Sequence, residues 1–188
     1  MSYPYTIKWG DRKTLEIRIK DGKIVVYAPW YAQEADVARM VSAQEAWISA
    51  QLQKQEALRE KTRDIQPLTV AELHRLADEA LRVIPGRVRH YAGLLGVRYG
   101  RVTIRAQKTK WGSCSAVGNL NFNCLLMLAP PEVLDSVVVH ELCHLKHMDH
   151  SPNFYEEILR VFPDYYRWNG WLKAHGDELM KKRPHSDA

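Results

Sequence analysis

One pentad near the end of the sequence restricts the local fold more than any other feature. Residues 140–144 read His-Glu-Leu-Cys-His, the pattern H-E-x-x-H, and they follow three consecutive valines, which predicts a buried helix. Residues four apart share one face of a helix, so the imidazoles of His140 and His144 can converge on one metal ion. Glu141 lies about 100° further round the helix, where its carboxylate can reach metal-bound water without binding the metal. The alternative is a chance pentad on a surface helix.

A metal site of this kind needs a third ligand, and two downstream histidines are candidates. On a continuing helix, His147 would lie about 10 Å along the axis from His140, which is too far for a single ion. His150 precedes Ser151-Pro152, a helix N-cap followed by proline at the first helical position. We therefore expect the chain to turn at 149–151 and to return His150 to the metal. The rival ligands are two carboxylates of the next predicted helix, Glu156 and Glu157.

The composition fits one globular domain in a reducing compartment. The chain has 188 residues, of which 46% are hydrophobic, enough to bury a core. We treat 1–188 as a single domain, with an N-terminal part at 1–65 and a catalytic core at 66–180. Its cysteines, Cys114, Cys124 and Cys143, lack C-x-x-C spacing, which indicates reduced thiols in a cytoplasmic protein. A ligand role for Cys114 or Cys124 is a minor alternative.

Two features bear on the partners of the protein. No apolar stretch is long enough to span a membrane, and the first residues lack the hydrophobic region of a signal peptide, so no membrane partner is expected. The net charge is +5, yet residues 80–131 contain no Asp or Glu and eight Arg or Lys. Such a window is typical of a surface for nucleic acid or an acidic peptide. It is equally typical of a solvated face that acidic segments elsewhere balance.

The predicted architecture is α+β. Short strands near 5–9, 14–20 and 23–28, with a hairpin turn at Asp21-Gly22, precede one long amphipathic helix over 32–61. A capping box at Thr69 and Glu72 begins a helix that is expected to end near Ile84, before Pro85, with a short helix over 87–95. Strands at 102–106 and 120–123 form a small antiparallel sheet. The metal helix at 132–147 packs on that sheet, and helices at about 152–161 and 166–180 follow.

The sequence resembles the YgjP-like metallopeptidase domain proteins, which look related to SprT-like and Spartan-type zinc proteases. The resemblance covers nearly the whole chain to about residue 175. It rests on the pentad, on the segment W-G-S-C at 111–114 and on H-S-P-x-F at 150–154. It implies a zincin-like fold in which His140, His144 and His150 bind one zinc ion per chain. Glu141 is then the catalytic glutamate.

The function implied is hydrolysis of peptide bonds in a protein or peptide substrate by zinc-bound water that Glu141 activates. A second group usually stabilises the oxyanion, and the sequence leaves its identity open among five residues, Tyr155, Tyr165, Tyr166, Asn123 and Arg105. The strand at 119–123 is a candidate edge for pairing with an extended substrate.

Two other classes of function stay open at this point. The first is a nucleic-acid-associated protease or a DNA- or RNA-binding factor that uses the basic window at 80–131, with Trp111 as a stacking residue. The second is a zinc-stabilised scaffold without turnover. Glu141 argues against the scaffold, because a purely structural zinc site is closed by four protein ligands and needs no base.

Overall fold

The computed structural model of the protein describes residues 3–184. The chain forms two compact units, Met1–Arg63 and Asp64–Ala188. The division falls close to the predicted boundary between 1–65 and 66–180, and the assignment of both parts to one domain stays a prediction. The first two and the last four residues of the proposed 1–188 domain lie outside the described residues. No helix in the described part of the chain is long and apolar enough to cross a membrane.

The first unit is a three-stranded sheet followed by two helices. Its elements are β1 (Tyr5–Gly10), β2 (Glu16–Lys20), β3 (Lys23–Pro29), α1 (Glu34–Ala43) and α2 (Glu45–Lys61). The strand order is β1-β3-β2, in which β1 runs parallel and β2 antiparallel to β3. The predicted hairpin turn is confirmed: Asp21 and Gly22 both have positive φ, as a tight two-residue turn between twisted strands requires.

The prediction of a single helix over 32–61 is wrong, because the helix breaks at Gln44. This residue ends α1 and begins α2, with φ −105° and ψ 15°. Neither Gly nor Pro stands at the break, so local sequence does not signal it. Val41 before the bend and Ile48 after it belong to the same buried cluster as the strand residue Val26. Packing of both helices into that cluster accounts for the bend.

The described part of the second unit contains five helical segments and a second small sheet of three strands. The segments are α3 (Val70–Leu95), β4 (Val102–Arg105), β5 (Gly112–Cys114), β6 (Leu120–Asn123), a 3-10 helix (Cys124–Leu128), α4 (Pro131–Cys143), α5 (Pro152–Val161) and α6 (Tyr165–Lys181). The α+β class is confirmed. The sheet has the order β4-β6-β5 and is mixed rather than antiparallel as predicted, because β4 pairs parallel to β6 and only β5 is antiparallel to it. The prediction of a substrate-pairing edge at 119–123 is wrong, because β6 is the central strand and both of its sides are already paired.

Helix α3 continues through Pro85, so the predicted break before 87–95 is also wrong. Proline inside a helix costs about 3 kcal/mol, through a lost hydrogen bond and a steric clash. Ile84 and Val88 on either side of it are fully buried, and each such side chain contributes about 1.5–3 kcal/mol. Burial along the helix therefore offsets the cost of the proline. The helix ends at Gly96, whose φ of 66° is left-handed.

Helix α4 carries the pentad and is the most buried helix of the unit. Ten of its thirteen residues are buried, as the valine run predicts. It packs against α3, α5, α6 and β5. The helix ends at Cys143 instead of continuing to 147, since the chain tightens there: the backbone N–H of Lys146 donates to the carbonyl of Cys143. This early end determines where the downstream histidines lie.

Candidate active site

The three predicted histidine ligands meet at the C-terminal end of α4. His140 and His144 come from the last turn of this helix, and His150 comes from the loop before α5. The Nε2 atom of His140 lies 3.2 Å from Nε2 of His144 and 3.3 Å from Nε2 of His150. Two nitrogens that each lie 2.0–2.1 Å from a tetrahedral ion are about 3.4 Å apart. The spacing of the three donors therefore fits one metal ion, although their role as ligands stays a prediction.

The partners of the other ring nitrogens support the same conclusion. Nδ1 of His144 lies 3.1 Å from the backbone carbonyl of His147. A carbonyl oxygen only accepts hydrogen bonds, so this Nδ1 donates and a neutral ring keeps the lone pair of Nε2 for a metal. Nδ1 of His140 lies 2.9 Å from the hydroxyl of Tyr165. Metal-binding imidazoles are typically held in this way by a second hydrogen bond, so the donor set fits a metal ion.

The loop between α4 and α5 brings His150 back toward the other two rings. It turns tightly after Cys143, and the carboxylate of Asp149 accepts a hydrogen bond from the backbone N–H of Ser151 at 3.4 Å. Ser151 is the N-cap of α5 and Pro152 follows at its first turn, so the predicted helix start is confirmed. Because α4 has ended, His147 lies outside the helix. Its backbone carbonyl, and not its side chain, forms the hydrogen bond with the ring of His144.

Glu141 is buried against strand β5. Its side chain is 6% exposed, and a Cβ atom added to Gly112 would come within 2.6 Å of Glu141 Cγ and Oε1. Only glycine therefore leaves room for the carboxylate at this point of the strand. Burial raises the pKa of Glu141 to about 7, against the opposing effects of the Lys110 charge and the Cys114 backbone. A carboxyl group with such a pKa can accept and release a proton near neutral pH.

A cavity of about 510 Å³ opens beside these groups. His140, Glu141 and His150 line one side of it. The remaining walls come from the segment before and within β5, from α4, and from one face of α5 and α6; they include Lys110, Trp111, Gly112, Val137, Tyr155, Tyr165, Asn169, Leu172 and Lys173. This volume lies within the range of ordinary ligand sites, about 300–1,000 Å³.

The rival ligands lie elsewhere. Glu157 forms ion pairs with Lys146 and Arg160, and these hydrogen bonds lower its pKa to about 2. Within the described residues, the cluster of metal-ligating groups around the pentad consists of the three histidines and includes neither Glu156 nor a cysteine. Cys143 is fully buried on α4, where desolvation raises the pKa of its thiol to about 12.

The five candidates for a second electrophile are separated by their contacts. Asn123 is fully buried and its amide donates to the carbonyls of Gln107 and Lys110, both at 3.0 Å, so it fixes the loop before β5. Arg105 and Tyr166 are exposed and do not line the cavity. Tyr165 and Tyr155 do line it, and the hydroxyl of Tyr165 is bound to His140. Tyr155, whose ring lies 6.4 Å from that of His150, is the candidate that remains.

The site also uses residues to which the sequence analysis assigned no role, including Gly112 of the W-G-S-C segment. Gly112 gives Glu141 its space, and Asn169, Leu172 and Lys173 of α6 form a wall of the cavity. Their spacing, three and four residues apart, is that of one helix face. The sequence therefore indicated that these three residues share a helix face, but it did not indicate that this face would line the cavity beside the pentad.

The YgjP-like metallopeptidase domain family matches residues 69–175, more than half of the chain. The chain belongs to this family. Every residue of the site described above lies inside the matched segment, and the predicted resemblance is confirmed for residues 69–175. Its extension over the residues before 69 stays a prediction. The protein therefore has a metallopeptidase domain, and a peptidase of this family implies a metal cofactor and a protein or peptide substrate.

Solved structures similar to this YgjP-like protein include two archaeal metallopeptidase zymogens. Abylysin of Pyrococcus abyssi is 24% identical, with a TM-score of 0.46 over 54% of this chain and 100% of that chain. Jannalysin of Methanocaldococcus jannaschii is 21% identical, with a TM-score of 0.44 over 48% of this chain and 94% of that chain. No curated protein matches the sequence.

Proposed function

We propose that this YgjP-like protein is a zinc-dependent peptidase in which His140, His144 and His150 hold one zinc ion and Glu141 is the general base. One observation carries the proposal: three histidines lie at the spacing of metal ligands, and two of them, His140 and His150, border the same cavity as the buried carboxyl group of Glu141. Three imidazoles are a donor set that suits zinc, and three protein ligands leave a coordination position open, as catalytic zinc sites do. When bound, zinc would supply Lewis acidity for both water and the substrate carbonyl.

Glu141 performs the proton transfers in this mechanism. Its carboxylate accepts a proton from the attacking water as the C–O bond forms at the scissile carbonyl. The same proton then passes to the amide nitrogen as the C–N bond breaks and the amine leaves. Contact with Gly112 restricts where the carboxylate can lie, and burial keeps its proton affinity in the range that both steps need.

Three other groups hold the reacting partners in position. The carbonyl of His147 and the hydroxyl of Tyr165 orient the rings of His144 and His140. Tyr155 lines the cavity next to His150, and in this proposal its phenol donates a hydrogen bond to the carbonyl oxygen as negative charge develops there. Such donors contribute about 10²–10³-fold to the rate in other acyl-transfer sites.

Metal content and hydrolysis of an unstructured protein such as casein test the proposal together. We expect one zinc per chain in the wild type and in Glu141→Gln, with activity lower by about 10²–10⁴-fold in that variant. His150→Ala should lose both zinc and activity, whereas Glu156→Gln, an exposed carboxylate outside the cluster, should keep both. Zinc that binds equally well to His150→Ala would remove His150 from the ligand set. Full zinc without hydrolysis by any form would favour the scaffold.

A cytoplasmic location, argued from the free cysteines, is part of this proposal. The nucleic-acid role stays a prediction. Among the basic residues of 80–131, Arg87 forms an ion pair with Asp135, while the other seven are exposed. Repeating the casein assay with plasmid DNA at low and high salt tests it, because binding through phosphate contacts weakens steeply with added salt.

A further inference from the structure

We propose that Lys110 and Lys173 form a subsite for a carboxylate of the substrate next to the scissile bond. The inference rests on the proposed peptidase function and specifies which substrates it prefers. Both lysines line the cavity that holds His140 and Glu141. They come from different elements: Lys110 from the loop before β5 and Lys173 from α6.

Packing between these two elements fixes the subsite. A Cβ atom added to Gly176 would lie 3.2 Å from Nε1 of Trp111, so the indole ring rests directly on α6. Asn169, Lys173 and Gly176 follow at intervals of four and three residues, on one face of that helix. Behind Lys110, the amide of Asn123 holds its backbone carbonyl at 3.0 Å. Both lysines therefore extend from backbone that packing and hydrogen bonds hold in place, and both line the same cavity.

The charges in the cavity are unbalanced. Among the described residues, neither Lys110 nor Lys173 forms an ion pair with an acidic side chain. Glu141 is the single acidic residue among those that line the cavity. The charge of Lys110 acts on it, and its one negative charge leaves the two lysines in excess. Asp177 lies one helical turn beyond Lys173, and both residues line an adjoining cavity together with Lys108. Across the two cavities three lysines therefore stand against two carboxylates, Glu141 and Asp177, which leaves an excess of positive charge beside the reacting groups.

A carboxylate is the ligand that this arrangement suits. Acidic side chains and the C-terminus are the anionic groups of an unmodified peptide, and two ammonium groups attract either of them. Asn169 adds an amide donor at the same wall, while Trp111 and Leu172 offer apolar surface for the methylene groups of a glutamate. A lysine or arginine of the substrate at this position would be repelled.

Binding of matched peptides to zinc-loaded Glu141→Gln protein, measured by fluorescence anisotropy, tests the subsite without requiring turnover. The probes are a short labelled alanine-rich peptide with a central Glu, its Gln counterpart, and both peptides as C-terminal acid and amide. We expect the Glu peptide to bind about fivefold more tightly than the Gln peptide, the effect of about 1 kcal/mol from partly exposed ion pairs. Added salt should reduce this preference.

Variants then assign the preference to the two lysines. Lys110→Gln combined with Lys173→Gln should make the Glu and Gln peptides equal, whereas Lys181→Gln, an exposed lysine further along α6, should leave the preference intact. A preference that follows the C-terminal acid in place of the central Glu would identify the terminal carboxylate as the group bound. Equal binding of all the peptides to the parent protein, or a preference that survives the double substitution, would overturn the subsite.

The result is independent of the peptidase assay. If casein is not hydrolysed but the lysine-dependent preference is present, the proposed function fails, and the two lysines form a carboxylate-binding site of a protein that binds peptides without cleaving them. If casein is hydrolysed and no preference exists, the function stands and the subsite is wrong.

Discussion

The two sheets of this protein share one topology and differ in the residues that their strands carry. In each, the third strand lies in the centre, the first strand pairs parallel to it and the second strand pairs antiparallel to it, giving the orders β1-β3-β2 and β4-β6-β5. The first sheet buries one face of β3 through Ile24, Val26 and Ala28. Its edge strand β2 carries charged side chains that alternate with isoleucines. The described residues of this sheet therefore serve packing and solubility, and they form no cluster of metal-ligating side chains.

The second sheet differs from the first in the residues at the ends of two of its strands. Asn123, at the end of the central strand β6, is fully buried and holds two loop carbonyls. Gly112, at the start of the edge strand β5, leaves the space that Glu141 occupies. The comparison teaches that strand order alone does not create a site. A few non-aliphatic residues at the ends of two strands convert an ordinary sheet into one wall of a catalytic cavity.

Replacing the buried amide should have the largest effect. Asn123→Ala leaves the carbonyls of Gln107 and Lys110 without their donor, and each unsatisfied buried group costs about 1–3 kcal/mol. We expect the free energy of unfolding to fall by about 3 kcal/mol in urea denaturation, with a further loss of peptidase activity because the loop before β5 is released. Val26→Ala in the first sheet should lower stability through a cavity while leaving the activity of the folded protein unchanged. Equal activity in the two folded variants would contradict this coupling.

The two strand glycines provide the next comparison. Gly112→Ala should displace Glu141, since the new methyl group would overlap its side chain, and a displacement of about 1 Å at a reacting group costs about 100-fold in rate. We expect kcat/KM to fall by about that factor while zinc stays bound. Gly10→Ala, at the end of β1, places a methyl group in open space and should leave kcat/KM unchanged. A fully active Gly112→Ala variant would show that the carboxylate has room to move.

The smallest expected effect concerns a single hydroxyl. Tyr165→Phe removes the hydrogen-bond partner of His140 Nδ1, and loss of such a partner typically weakens metal binding by about 10–100-fold. A zinc competition titration with a chromophoric chelator should detect a change near the lower end of this range. Tyr27→Phe in β3, where the ring stacks under Arg18, is the matched control and should bind zinc normally. Identical affinities in both variants would make Tyr165 a packing residue only.

Several features of the fold and the site could be predicted because the residues that cause them are adjacent in sequence. Asp21-Gly22 encodes its own turn, Ser151-Pro152 encodes the start of α5, and the pentad brings two imidazoles together through the period of the helix. The return of His150 to the other two histidines could also be predicted, since the chain had to turn before Pro152. These are consequences of local backbone preferences.

Features that depend on distant contacts could not be predicted. Pro85 signals a helix end, yet burial on both sides keeps α3 intact. No residue near Gln44 announces a bend, because the cause is the core into which both helices pack. The parallel pairing of β4 with β6 and the wall that α6 supplies to the cavity likewise follow from packing across the unit, where tertiary contacts override local propensity.

The hydrogen bond that orients His144 has a consequence for how the protein can evolve. Its acceptor is the carbonyl of residue 147, an atom that every amino acid supplies. The histidine found there can be exchanged for other residues without loss of this support, provided that the turn keeps its path. Selection can therefore preserve the support while the side chain at 147 drifts, and comparison of sequences by residue identity would pass over it.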